Sequence, residues 1–151
     1  MKNLKWILYG ILINLFFYAS NVGATEELLI YGGERQDQFL GCLNCNEFDE
    51  DSICNSFGQF GNELSSIGMF NEFSTFGNEF NSSSPWNEFS QSSSVPVILD
   101  ASGNFYGYFT INEFRQDAID FSNDLKKMYE YLNGDLEKVR VLLCESLGFN
   151  G

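Results

Sequence analysis

Between residues 46 and 94 the apolar and polar positions follow a fixed spacing. Asn46, Asn55, Asn62, Asn71, Asn78 and Asn87 fall 9, 7, 9, 7 and 9 residues apart. Each is followed two positions later by an apolar residue: Phe48, Phe57, Leu64, Phe73, Phe80 and Phe89. This is a tandem repeat of 16 residues carrying two Asn-x-Phe units, one preceded by Gly61 or Gly77 and the other by Cys54, Phe70 or Trp86. A fixed period indicates stacked supersecondary units, none of which buries its apolar face alone. If each unit is a short strand, alternation puts Asn and Phe on one side and the intervening Glu or Ser on the other. Two such strands per period make a flattened coil. Coils stacked about 4.8 Å apart would superpose Asn55, Asn71 and Asn87, then Phe57, Phe73 and Phe89, then Cys54, Phe70 and Trp86, as asparagine ladders and aromatic columns. Gly58, Gly61, Gly68 and Gly77 are expected at corners of positive φ. The competing reading is a disordered tract of Ser, Asn, Gly and Phe, against which the regular spacing stands.

The flanks predict caps. Residues 25–45 hold a strand at Leu28 to Tyr31, a Gly32-Gly33 turn and an apolar patch at Phe39-Leu40. Residues 95–111 read as a hairpin, Val95 to Leu99 and Phe105 to Thr110 around the polar turn Asp100 to Asn104, expected to pair with the last coil and cover its edge. At the entry to the two-helix segment 112–151, Thr110-Ile111-Asn112-Glu113 has capping-box spacing. After it Phe114, Ala118, Phe121, Leu125, Met128 and Leu132 recur at helical steps. Asn133-Gly134 interrupts, and Leu136, Val139, Leu143 and Leu147 begin a second stripe. The fold class expected is mainly β with an α-helical C-terminal tail: a short β-solenoid-like stack of 16-residue repeats, a capping hairpin, then a helical hairpin packed as a cap.

Lys2 and Lys5 precede an apolar run from Trp6 to Ala19 and the small residues Ser20 to Ala24, which together read as a secretory signal peptide over 1–24. The run is shorter than the roughly 20 residues of a spanning helix. The expectation is an exported protein beginning at Thr25, periplasmic or extracellular, with no stable membrane insertion after cleavage. The whole chain carries a net charge of −13, and loss of the leader takes away Lys2 and Lys5 and no acidic residue, which leaves −15. Such a charge repels phosphate backbones and anionic lipid surfaces. Nucleic acid is thereby disfavoured, and a protein or glycan partner, or self-association, is expected. The chain has no histidine, which excludes Ser-His and Cys-His nucleophilic sites and imidazole metal ligation. Paired carboxylates of the glycosidase kind remain, on a chain with little material for a cleft.

Four cysteines are left to consider: Cys42, Cys45, Cys54 and Cys144. Cys42-Leu43-Asn44-Cys45 has thioredoxin spacing but no βαβ context, and the acidic segment after it would raise a thiol pKa. A second reading makes all four zinc ligands, which needs the C-terminal helix to deliver Cys144, although a pair plus two distant singles is an unusual set. An even number in a small exported chain favours structural disulfides, with three possible pairings. The run Asp49-Glu50-Asp51 and the turn at Asp100 suggest calcium but fit neither EF-hand nor RTX spacing. Asn81-Ser82-Ser83 is a glycosylation triplet, relevant only in a eukaryote.

Leu40-Gly41-Cys42-Leu43-Asn44-Cys45, the Asn/aromatic-Gly repeats, and Pro96 to Asp100 followed by Gly103 to Thr110 occur in that order. On these motifs the chain resembles a group of small exported bacterial proteins of unknown function, over about residues 28 to 114. Repeats of that group are rich in tyrosine and serine, where this chain has phenylalanine and glutamate, and the two-helix tail is particular to this chain. The resemblance implies bacterial export and carries over no catalytic residue. The expectation is a non-enzymatic repeat protein, without cofactor or resident metal, acting in binding or assembly. The alternatives are a thiol-disulfide or metal-handling protein using Cys42 and Cys45, and a self-assembling matrix component.

Overall fold

The computed structural model describes residues 26–149, so the leader expected over 1–24 lies outside the described residues. Two hairpins build one sheet. The apolar strand β1 (Leu28–Gly32) turns back as β2 (Gln38–Cys42), and β3 (Val97–Asp100) turns back as β4 (Phe105–Tyr108). The strand order is β2-β1-β3-β4, antiparallel throughout, with Ile30 opposite Ile98 and Tyr31 opposite Val97. The second hairpin therefore pairs with the first and not with the last repeat. β1 offers it a free row of strand N–H and C=O groups, which the repeats do not have.

The expected strands within the repeats are absent: among the described residues none lies between Cys42 and Val97. The chain there is a run of tight turns. Backbone N–H groups of residues 49, 52, 55 and 58 donate to the carbonyls of 46, 49, 52 and 55, and Asn62 N–H then reaches back four residues to Gly58. The same sequence of bonds runs from 62 to 78 and starts again from 78 to 90. Four steps of three residues and one of four account for the 16-residue period, which thus has its origin in turn geometry and not in strand length.

Each repeat asparagine closes one of these turns. Its Oδ1 accepts from the N–H two residues on, at 2.8 to 3.0 Å, for Phe48, Phe57, Leu64, Phe73, Phe80 and Phe89 alike. Asparagine suits this position because its short amide reproduces a backbone acceptor. Asn55, Asn71 and Asn87 use the other end of the amide as well, donating from Nδ2 to the carbonyl six residues earlier at 3.0 to 3.2 Å. The asparagines are thus bonded to backbone rather than to one another. The repeat glycines have negative φ, the positive values falling at Gly33, Gly41, Gly103, Gly107, Gly134 and Gly148. Gly61 and Gly77 are required by close approach instead: a Cβ at Gly77 would sit 1.7 Å from Asn71 O, and one at Gly61 2.3 Å from Asn55 O.

Two helices follow, α1 (Ser122–Tyr131) and α2 (Leu136–Ser146). α2 begins where its pattern says, with Asp135 accepting from Lys138 N–H. α1 starts about ten residues later than the capping-box spacing implies, because residues 112–121 continue as turns. The core lies where turns, sheet and helices meet, and Trp86 is its hub. Its ring lies 5.8 Å from Phe70, 6.0 Å from Phe109 and 5.7 Å from Tyr129 of α1, onto which it stacks. Its indole N–H donates to Met69 O at 2.6 Å. Of the three expected columns, the one through Cys54, Phe70 and Trp86 is the buried one. Arg140 of α2, itself buried, donates to Cys54 O at 2.9 Å and fastens the helical hairpin to the turns.

Candidate functional site

Turn geometry decides which way the Asn-x-Phe units face. The asparagine at the first position turns its amide to the backbone, while the two corner residues, Glu or Ser and then Phe, project outward. Phe48, Phe57, Leu64, Phe73, Phe80 and Phe89 are consequently between 81 and 95% exposed. A ring stacked between neighbours would lose far more surface than this, so Phe57, Phe73 and Phe89 stand out from the fold rather than forming an inner column. The residues that do point inward are Ile53, Phe60, Met69 and Phe76, together with Cys54, Phe70 and Trp86. A seventh unit follows the sheet. Asn112 Oδ1 accepts from Phe114 N–H at 3.1 Å, Arg115 N–H donates to Asn112 O, and Phe114 is 83% exposed. Its signal in the sequence is the tripeptide Asn-Glu-Phe, also present at 46–48, 71–73, 78–80 and 87–89.

The exposed edge runs beside the helical hairpin and forms three grooves with it. The first, of 510 Å³, lies between Leu64 and Phe73, facing Asp135 and Glu137. The second, of 360 Å³, lies between Phe73 and Phe80 with Gly77 beneath and Tyr129 and Leu136 opposite. The third, of 460 Å³, lies between Phe80 and Phe89 beside Lys126 and Tyr129. Each is apolar at its rims and acidic beside them, through Glu63, Glu72, Glu79 and Glu88. In the third groove α1 answers these charges. Lys126 Nζ lies 2.9 Å from Glu113, 3.5 Å from Glu88 and 4.0 Å from Glu130. The hydrogen bond to Glu113 and the surrounding carboxylates push the Lys126 pKa up, against the opposing effect of desolvation. Tyr129 donates to Glu79 Oε2 at 2.7 Å, and burial together with that bond raises its phenol pKa well above the ordinary tyrosine value.

All four cysteines are in disulfides. Cys42 pairs with Cys45, and Cys54 on the turns pairs with Cys144 on α2 across 90 residues. A disulfide sulfur has no thiolate to give a metal, so in this state the four do not form a zinc set. Cys42 and Cys45 are buried beside a shallow acidic groove that includes Asp49, Glu50 and Asp51. Among the described residues no three acidic, cysteine or histidine side chains gather closely enough to hold a metal ion. Nor, among them, is any helix long and apolar enough to cross a membrane. Comparison of the chain with protein-family models, with curated proteins and with solved structures gives no match.

Proposed function

We propose that this is a non-enzymatic exported repeat protein whose turn run forms a short solenoid-like stack and whose working surface is the Asn-x-Phe edge, used in binding or assembly at the cell surface or in the periplasm. The observation that carries this reading is the near-complete exposure of one apolar side chain per unit. The turn needs the asparagine amide and a backbone N–H two residues on; it makes no use of the phenylalanine ring. Burying such a ring is worth about 1.5–3 kcal/mol, and a chain that leaves a series of them in water forgoes that stabilisation repeatedly. Contiguous exposed apolar surface on a folded domain is a common mark of an interaction site. Two disulfides suit an oxidising compartment and support export.

The test replaces Phe73, Phe80 and Phe89 by serine in the full chain and follows sedimentation of the purified protein and its retention on isolated cell envelopes. The expected result is an unchanged circular dichroism spectrum and melting curve with loss of retention or of self-association. Unchanged behaviour in both assays would refute the reading.

A further inference from the structure

We infer that the edge takes a cationic amphipathic segment of a partner protein, a helix or extended stretch that sets apolar side chains between the phenylalanines and lysine or arginine against the adjoining glutamates. The inference rests on the reading of the edge as the working surface and names the chemistry of what it binds. Three features point the same way. First, apolar and acidic groups alternate along the grooves at the same spacing, since Glu and Phe occupy neighbouring corners of one turn: Glu72 with Phe73, Glu79 with Phe80, Glu88 with Phe89.

Second, the molecule already contains an example of the recognition proposed. α1 lies along the last groove and presents Lys126 to Glu88 and Glu113, and Tyr129, one helical turn on, to Glu79 and to the face of Trp86. Residues three apart on a helix share a face, so a single helix supplies both the cation and the ring. Third, the first groove has no such counterpart. Of the carboxylates around it, Glu137 is held by Arg140 within α2 and the N-cap Asp135 by Lys138 of the same helix, whereas Glu63 and Glu72 have no ion pair among the described residues. A second copy of this chain is the poorer occupant, because it would bring one acidic edge against another on a protein of net charge −13.

The experiment titrates the oxidised full chain with a helical peptide of leucine and lysine about five turns long, at about 0.15 M salt where charges beyond roughly 8 Å are screened. The same peptide with glutamate for lysine is the reference. The lysine peptide is expected to bind more tightly than the glutamate peptide. Binding should weaken about fivefold in E63Q/E72Q, as for two partly exposed charge pairs. The variant D49N/E50Q, with the same change of net charge outside the three grooves, should bind as wild type does, and F73S/F80S should bind neither peptide. Equal weakening in the two charge variants would show attraction to bulk charge and overturn the inference. So would a glutamate peptide that binds as tightly, or an edge closed by self-association. Should the glutamate peptide bind as tightly as the lysine peptide and F73S/F80S abolish the binding of both, the edge stands and its preference for cations falls. Binding of the lysine peptide undiminished in F73S/F80S would overturn the edge itself.

Discussion

Replacing Asn71 by aspartate isolates one half of the turn chemistry. Asn71 is buried, with Oδ1 accepting from Phe73 N–H at 3.0 Å and Nδ2 donating to Ser65 O at 3.0 Å. Aspartate keeps the acceptor, so the turn remains closed, but it loses the donor and sets a carboxylate oxygen against a carbonyl oxygen. The lost bond is worth about 1–1.5 kcal/mol, and setting a partly desolvated carboxylate against Ser65 O, which keeps only its bond from Gly68 N–H, adds about 1–3 kcal/mol. A total of about 2–4 kcal/mol is a large part of the roughly 5–15 kcal/mol of an ordinary domain. In urea, with a slope of about 1–3 kcal/mol/M, it lowers the unfolding midpoint by roughly 1–2 M. Glu72→Gln, at the exposed corner of the same turn, should change stability by less than about 0.5 kcal/mol. The pH dependence supplies a second check. The fold disfavours the ionised form of the new carboxyl, so its folded pKa lies above the unfolded value of about 3.9. The penalty is therefore full above the folded pKa and vanishes below the unfolded one, where a protonated carboxyl can again donate to Ser65 O. Urea melts of N71D, E72Q and wild type at neutral and acid pH measure this. A defect under 1 kcal/mol at neutral pH, or one that grows on acidification, would refute the turn-cap account.

Gly77→Ala places a methyl 1.7 Å from Asn71 O and should destabilise by about 3 kcal/mol or more in urea melts, whereas Gly103→Ala meets no atom and suffers only the strain of its positive φ. Cys54→Ser/Cys144→Ser opens a loop of 90 residues and should cost about 4–5 kcal/mol by chain entropy, against about 2 kcal/mol for Cys42→Ser/Cys45→Ser, whose loop spans 3 residues of separation. Comparable losses in calorimetry would argue against the first bridge as the main tie. Tyr129 keeps its proton in the fold to higher pH than in the unfolded chain, so its contribution to stability is complete below about pH 10 and declines as alkali ionises the unfolded tyrosine. Tyr129→Phe should remove that part of the alkaline decline in melting temperature, and an unchanged profile would count against the bond to Glu79.

What the sequence disclosed, and what it hid, follows from the turns. The 16-residue period was legible because Asn46 to Asn87 mark it directly, and so were the hairpin around Asp100 to Asn104 and the helix begun by Asp135. Side-chain direction was not. Alternation assumes extended backbone, in which residues two apart share a face, whereas a bond every three residues turns Asn71 inward and Phe73 outward. Asn112-Glu113-Phe114 satisfies two patterns at once, a capping box with Thr110 and a seventh Asn-Glu-Phe turn, and the local bonds choose the second. The pairing of β1 with β3 joins segments 66 or more residues apart, and nothing local in either strand announces it. The cysteine pairing was equally hidden, since Cys144 reaches Cys54 only once α2 has packed on the turns.

Solvent exposure of the phenylalanine rings tests the central claim most directly. With ring-labelled phenylalanine in the oxidised protein and a soluble paramagnetic agent, the rings of Phe48, Phe57, Phe73, Phe80, Phe89 and Phe114 should relax strongly, and those of Phe60, Phe70, Phe76 and Phe109 should be protected. Protection of Phe57, Phe73 and Phe89 to the level of Phe70 would mean that the Asn-x-Phe units face inward, and there would be no aromatic edge to bind anything.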